Sequence, residues 1–265
     1  MKEKISITIE KNVIDEIDSI IDNIYIRNRS QAIEHLVKTA LGENKIAVIL
    51  AGGPEEQLRT RTKKFCFELE VKGLSLIENV IKKLRDSKFK TIYIIGRHAI
   101  ITKIFEIVKD GNDYGVKVNY FEEKISKGTA DSLRILKGKI NTTFLVVYCD
   151  IYFGRINLDE IWKDHLKQGA LCTLMLTTSP KPSEKGTVVV EGTKILQFIQ
   201  KPRQSDIYLV FSPIFAAEPE IFDYEGSSLE KDVFSALAEK GLLNGHMSSE
   251  KEIHVRSREE ADRIR

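Results

Sequence analysis

The chain has 265 residues, 42% hydrophobic and 30% charged, which is enough for a sizeable core and too long for one small module. Its 41 basic and 39 acidic residues nearly cancel to +2, which excludes a broadly basic nucleic-acid-coating protein and makes any such surface local. Three widely spaced cysteines with no CxxC pair exclude a disulfide framework and a zinc knuckle, and no apolar run reaches the roughly 18 residues of a spanning helix, so a cytoplasmic protein without a membrane partner is expected.

In "KEKISITIE", Ile5, Ile7 and Ile9 alternate with Lys4, Ser6 and Thr8, the period of a half-exposed strand. Val13, Ile14, Ile17, Ile20, Ile21 and Ile24 then recur at helical spacing after Asn12, a good N-cap. A second helix is predicted from Ser30, with Ala32, Ile33, Leu36, Val37, Ala40 and Leu41 as its apolar face and Gly42 at its end. One strand and two helices hold too little core for an independent monomer. The economical solution is a homodimer in which this strand pairs with its copy.

This order resembles the ribbon-helix-helix family of DNA-binding proteins over residues 2 to about 43. The resemblance implies that Lys4, Ser6 and Thr8 read base edges of double-stranded DNA, while Asn28, Arg29 and Ser30 hold a backbone phosphate. The bland alternative is a dimerisation module with a polar outer face. Residues 1–43 carry six basic against eight acidic side chains, so no electrostatic attraction to DNA stands out.

From Lys45 the character changes. "KIAVIL", "FKTIYIIG", "GVKVNYF", "TTFLVVYCD" and "ALCTLMLTT" read as strands, with helical stretches such as "LSLIENVIKKLRDS" and "INLDEIWKDHLKQG" between them. This alternation predicts an α/β domain over residues 44–265, a GT-A-like or Rossmann-like, mostly parallel sheet sandwiched by helices. "KGTVVVEGTKILQFIQKP" reads instead as a hairpin around "EGTK". Ligands of such sheets collect at the carboxyl ends of strands, which singles out the Gly52–Gly53 turn after "AVIL" and Asp150 at the end of "TTFLVVYCD". The turn is neither a GxxxxGK loop nor a GxGxxG fingerprint.

The series "AVILAGG", "VKGLSLIENVIKKL", "KGTADSLRIL", "FLVVYCDIYF", "QFIQKP" and "SSLEKDVFSALAEKGLLNGH" resembles the sugar nucleotidyltransferases over residues 45–265. Those enzymes join an NTP to a sugar 1-phosphate and release pyrophosphate, by positioning and charge neutralisation. The resemblance implies that Ala51, Gly52 and Gly53 begin the nucleotide loop and that Gly128, Thr129 and Ala130 lie against the nucleoside. It further implies Glu123 near the base, Gly186 and Lys201 at the sugar phosphate, and Asp150 as a ligand of Mg²⁺. Each has a plainer reading: Asp150 as a turn cap, Gly52 and Gly53 as turn formers, Thr129 as an N-cap, Lys201 as a solvated lysine.

The chain also departs from the family pattern. Where GxGTR is usual it has Glu55, Glu56 and Gln57, and a unit charge pair at about 4 Å is worth about 4 kcal/mol at an effective dielectric near 20, so acids facing a triphosphate oppose it. The usual PK step falls on Phe65 and Cys66, with Lys63, Lys64, Arg59 and Arg61 as the nearby cations available to compensate. The second metal aspartate falls on His254, a residue Mg²⁺ does not favour. No residue is assigned as acid, base or nucleophile. These losses favour a dimeric DNA-associated protein whose transferase-like domain is degenerate and senses an NTP or NDP-sugar. The alternative is an active, divergent sugar-1-phosphate nucleotidyltransferase dimerised by its N-terminal part.

Overall fold

The computed structural model describes residues 5–22, 26–41, 45–125 and 127–264. It divides the chain into two units, residues 1–44 and 45–265. In the first, residues 5–10 run without regular structure into α1 (Lys11–Ser19), and α2 (Arg29–Leu41) follows. The expected strand over residues 5–9 is therefore not formed in a single copy, since a ladder needs a partner to accept its hydrogen bonds. The two helices are in contact, and Ile17 and Ala32 are buried, while Ile5, Ile7, Val13, Leu36 and Val37 remain exposed. Their starts also differ from expectation. Glu10, not Asn12, precedes the first turn of α1, and Asn28 caps α2 by accepting the Gln31 N–H at 3.0 Å. Gly42 lies outside the described residues.

The second unit contains β1 (Lys45–Ala51), α3 (Glu55–Leu58), β2 (Glu70–Val71), β3 (Leu74–Ser75), α4 (Leu76–Asp86), β4 (Phe89–Gly96), α5 (His98–Val108), β5 (Lys117–Glu122) and α6 (Thr129–Arg134). It continues through β6 (Phe144–Tyr148), β7 (Ile151–Tyr152), α7 (Leu158–Gln168), β8 (Cys172–Thr178), β9 (Gly186–Glu191), β10 (Lys194–Gln200) and β11 (Leu209–Ala217). It closes with α8 (Phe234–Glu239), β12 (Leu243–Met247), β13 (Ile253–His254) and α9 (Arg258–Asp262). Nine strands form one sheet in the order β5-β4-β1-β6-β11-β8-β12-β10-β9.

Alternate residues of β1 face opposite layers: Ala47, Ile49 and Ala51 enter one core, and Val48 and Leu50 the other. Burial on both faces is why this strand reads as an unbroken apolar run. The expectation of a mostly parallel sheet holds for β5-β4-β1-β6; beyond β6 only the β8–β12 pair is parallel, and the other neighbours run antiparallel. β11 runs antiparallel between β6 and β8, and β9 and β10 form the expected antiparallel hairpin, so the sheet is mixed. The register of β11 against β8 shifts between Ser212 and Phe215, where Pro213 cannot donate to the ladder. Among the described residues no helix is long and apolar enough to cross a membrane.

A polar contact ties the layers behind the sheet. His165 of α7 sets Nδ1 2.8 Å from Thr173 Oγ1 and Nε2 3.1 Å from a Glu218 carboxylate oxygen, which also accepts from Thr143 Oγ1 at 2.8 Å. Burial pushes the Glu218 carboxyl up, but the hydrogen bonds of His165 and Thr143 outweigh it and hold it below its ordinary 4.5. A depressed carboxyl stabilises the fold above its unfolded value and ceases to do so as pH falls through the folded one. Urea midpoints are therefore expected to drop as pH is lowered below about 4.5, and Glu218→Gln to flatten that part of the profile. Equal slopes for the two proteins would refute the assignment.

Candidate functional site

Strand ends build the site, because every element that crosses the sheet must turn there. β1 leaves the sheet at Gly52, where an added Cβ would lie 2.1 Å from Glu123 Oε2 and 2.9 Å from Ser132 Oγ, and Gly53 follows at φ +95°. Both glycines are thus required by the turn, one for close approach and one for its backbone angle. Glu123 is buried beneath this loop, accepting from Ser132 Oγ at 2.7 Å and from the Gly53 N–H at 3.4 Å. It shapes the loop from below rather than lining the cleft.

The cleft above has two halves. The first, about 740 Å³, is lined by Gly52, Gly53, Gln57, Lys127, Gly128 and Thr129, among others. The second, about 670 Å³, is lined by Lys185, Gly186, Gln200, Phe211, Pro213 and His254, among others. Tyr148, Asp150, Lys201, Glu230 and Arg256 border both, so the halves are continuous across them.

Each shared residue is fixed locally. Asp150 follows β6, and its carbonyl accepts the Val255 N–H at 2.8 Å as β7 pairs with β13. That ribbon delivers His254 and Arg256: Asp150 Oδ2 lies 3.4 Å from His254 Nδ1, 3.1 Å from Arg256 Nη2 and 3.3 Å from Arg256 Nε. Burial raises the Asp150 carboxyl, and His254 with Arg256 more than reverses it, leaving it below its ordinary value. Glu230 sits on a π-helical turn, Leu229–Val233, and accepts from Tyr148 Oη, from Thr129 Oγ1 at 2.7 Å and from Ser228 Oγ at 3.0 Å. Burial, and then Glu230, push the Tyr148 phenol far above its ordinary value, so it remains a donor. Lys201 holds φ +47°, rare for a side-chain-bearing residue, with its N–H on the Lys185 carbonyl at 2.9 Å.

The other expected residues take varied places. Gly128 and Thr129 line the first half, but Thr129 is not the N-cap of α6; Gly128 is, and the Thr129 hydroxyl serves Glu230. Ala51 and Ala130 are buried in the walls. Gly186 lines the second half, where a Cβ would meet the Phe198 ring at 2.4 Å. Gln200 Oε1 in that half is buried without a hydrogen-bond partner among the described residues.

The loop acids do not face the cleft. Glu55 pairs with Arg59 at 3.0 Å, one turn on, and neither Glu55 nor Glu56 lines the cavity, so the anticipated repulsion is absent. None of the four anticipated cations, Arg59, Arg61, Lys63 and Lys64, lines either half of the cleft. Arg59 lies over the Phe65 ring at 4.1 Å and, with Lys63 and Lys64, lines a separate cavity of about 390 Å³ rather than converging on Asp150. Phe65 and Cys66 are core residues.

In the first unit, Arg29 makes a bidentate pair with Asp18, Nε to Oδ1 at 2.6 Å and Nη2 to Oδ2 at 2.5 Å, and Asn28 is spent on its cap. Asp18 is held below its ordinary value chiefly by that hydrogen bond. Ser6, Thr8 and Ser30 are exposed, and Lys4 lies outside the described residues.

Residues 46–253 match the profile of the nucleotidyl transferase family. The chain belongs to that family. Nucleotidyl transferases of sugar phosphates are among its curated relatives. A Sulfolobus acidocaldarius protein provisionally named a mannose-1-phosphate guanyltransferase is 30% identical over 72% of this chain and 54% of its own length. The mannose-1-phosphate guanylyltransferase catalytic subunit beta of Dictyostelium discoideum is 31% identical over 49% of this chain and 38% of its own. The chain thus spans about half or less of these relatives. A solved Bacillus anthracis structure, provisionally named a glucose-1-phosphate thymidylyltransferase, superposes with TM-score 0.75 at 19% identity, covering 83% of this chain and 93% of that one. It shares the mixed α/β fold. The nucleotidyl transferase match begins at residue 46 and does not extend over the first unit.

Sugar nucleotidyltransferases typically use a divalent metal. The residues here do not fit one. Asp150 spends Oδ2 on Arg256 and His254, and among the described residues no group of three or more His, Cys, Asp or Glu is arranged to hold an ion. Mg²⁺ seeks an octahedron of oxygens, and a guanidinium stands in its way.

Proposed function

We propose that the larger unit, residues 44–265, handles sugar nucleotides, joining an NTP to a sugar 1-phosphate with release of pyrophosphate. Continuity of the cleft carries this reading: a nucleotide half and a sugar half meet over Asp150, Lys201 and Arg256. A triphosphate in one half and a sugar phosphate in the other bring an attacking oxygen to the α-phosphorus, and pyrophosphate leaves. On this reading Ala51, Gly52, Gly53, Glu123, Gly128, Thr129 and Ala130 form or support the nucleotide half, and Gly186 and Lys201 belong to the sugar half. The names of the relatives put GTP and mannose 1-phosphate first in a panel of NTPs and sugar 1-phosphates. Pyrophosphate release above the rate of the Asp150→Asn variant supports the reading.

A second reading, occupancy without turnover, is favoured by the guanidinium on Asp150 and by the missing loop cations. It predicts saturable NDP-sugar binding with no pyrophosphate release, as in a ligand-sensing regulator. The three buried free thiols suit work in the reducing cytoplasm.

For the first unit, residues 1–43, we propose pairing with a second copy through residues 5–9, because Ile5 and Ile7 stand 75% and 54% exposed in a single copy. Sedimentation equilibrium checks this, with Ile7→Asp expected to yield monomers. Association with double-stranded DNA through Lys4, Ser6 and Thr8, with Asn28, Arg29 and Ser30 at the phosphates, is the further part of this reading. It requires binding that weakens as salt rises, and no binding to any duplex at low salt would end it.

A further inference from the structure

We infer that Arg256 serves as the built-in counter-cation of this cleft, so that the phosphates of an NTP or NDP-sugar bind without a divalent metal. The inference rests on the reading that the cleft takes a nucleotide, and it concerns the charge that meets the phosphates there.

Position comes first. Arg256 borders both halves, beside Asp150 and Lys201, where phosphates of two substrates would meet. Its guanidinium directs Nε and Nη2 at one oxygen of Asp150, while Nη1 makes no hydrogen bond among the described residues. A guanidinium is planar, permanently charged and carries five N–H donors, so one edge held by a carboxylate leaves others for phosphate oxygens. The side chain is 63% exposed, hence within reach of a ligand.

The surrounding carboxylates leave no set for an ion. Glu230 is held by Tyr148, Thr129 and Ser228. Glu252 gives Oε1 to Lys185, while its buried Oε2 has no hydrogen-bond partner among the described residues and Glu252 lines neither half of the cleft. Glu260 accepts the Arg256 N–H at 2.7 Å. A divalent ion at Asp150 would have to displace a fixed positive charge and a histidine, and no group of three or more His, Cys, Asp or Glu among the described residues is arranged to hold it. Arg256 and Asp150 are 106 residues apart and are joined through the β7–β13 ribbon, so the pairing is built by the fold.

Calorimetric titration of the full chain with GTP and with dTTP, in EDTA and in MgCl₂, tests this. The wild type is expected to bind with dissociation constants within about twofold in the two conditions, and Arg256→Ala to weaken binding in EDTA roughly ten- to hundredfold. Binding only with Mg²⁺ overturns the inference and leaves the nucleotide reading standing. No binding of either nucleotide in either condition overturns both. Electron paramagnetic resonance with Mn²⁺ alone gives a readout independent of nucleotide. No Mn²⁺ uptake by the wild type supports the inference, and uptake that Asp150→Asn abolishes refutes it. Circular dichroism confirms that the variants are folded.

Discussion

Replacing Asp150 with asparagine is expected to lower nucleotide binding, and any pyrophosphate release, by about a hundredfold. The amide keeps the shape of the carboxylate and loses its charge. In the wild type that charge is held on a largely buried side chain and is matched by Arg256 and His254. An arginine facing an amide is no longer fixed between the two halves of the cleft, and a phosphate would have to organise it afresh. Hydrogen bonds to charged groups contribute about 1.5–3 kcal/mol each, and every 1.4 kcal/mol is tenfold, so a displaced Arg256 that forfeits one or two bonds to phosphate accounts for about two decades. Glu56→Gln, on the exposed outer side of the loop, is the control and should leave binding within about twofold. Titration and pyrophosphate assays on the three proteins decide the matter; an unchanged Asp150→Asn variant would remove Asp150 from the site.

Truncating Phe234 to alanine is expected to cost about 3–5 kcal/mol in unfolding free energy. Its ring is fully buried at the start of α8 and lies 5.3, 5.4 and 5.4 Å from the rings of Phe198, Phe211 and Phe215, in edge-on arrangements. Those partners belong to β10 and β11, so one side chain joins the helix to the antiparallel half of the sheet. The cavity left behind has rigid aromatic walls that collapse poorly. At roughly 2–4 °C per kcal/mol for a unit of this size, the melting temperature should fall by about 10 °C. Phe105→Ala removes a ring that is 52% exposed and should cost about 1 kcal/mol or less. Similar losses for both would contradict the packing described.

The same contrast between local and distant contacts explains what could be read from the chain alone. Strand and helix alternation, the β9–β10 hairpin and the turn at Gly52 and Gly53 depend on neighbours a few residues apart, and all are legible. The antiparallel course of β11 is not, because the direction of a strand is a property of its partners, and "VFSPIF" carries no sign of it. Glu55 looks hostile to a phosphate until its carboxylate is seen turned to Arg59, although i,i+4 spacing was available as a hint. Glu230 lies in "SSLEKDV" with nothing local to mark it, since only the fold brings it to Tyr148 and Thr129. Arg256 followed His254 by two positions and carried no signal without knowledge of where Asp150 lies. Residues 5–9 show the converse: their alternation is plain in the chain, yet residues 5–10 form no regular structure.

The β7–β13 ribbon bears on how the protein is made. It joins positions about a hundred residues apart, and its second strand ends at His254. At roughly 5–20 residues per second a ribosome needs on the order of 5–20 s to travel from Asp150 to Arg256. During that interval the strands β1, β4, β5 and β6 are already synthesised and free to assemble, while the aspartate at the tip of β6 awaits its arginine. A nascent chain thus passes through a stage in which the sheet can form but the cleft carries an unmatched negative charge. Anions would be repelled from such a chain until the segment that carries Arg256 has emerged and docked.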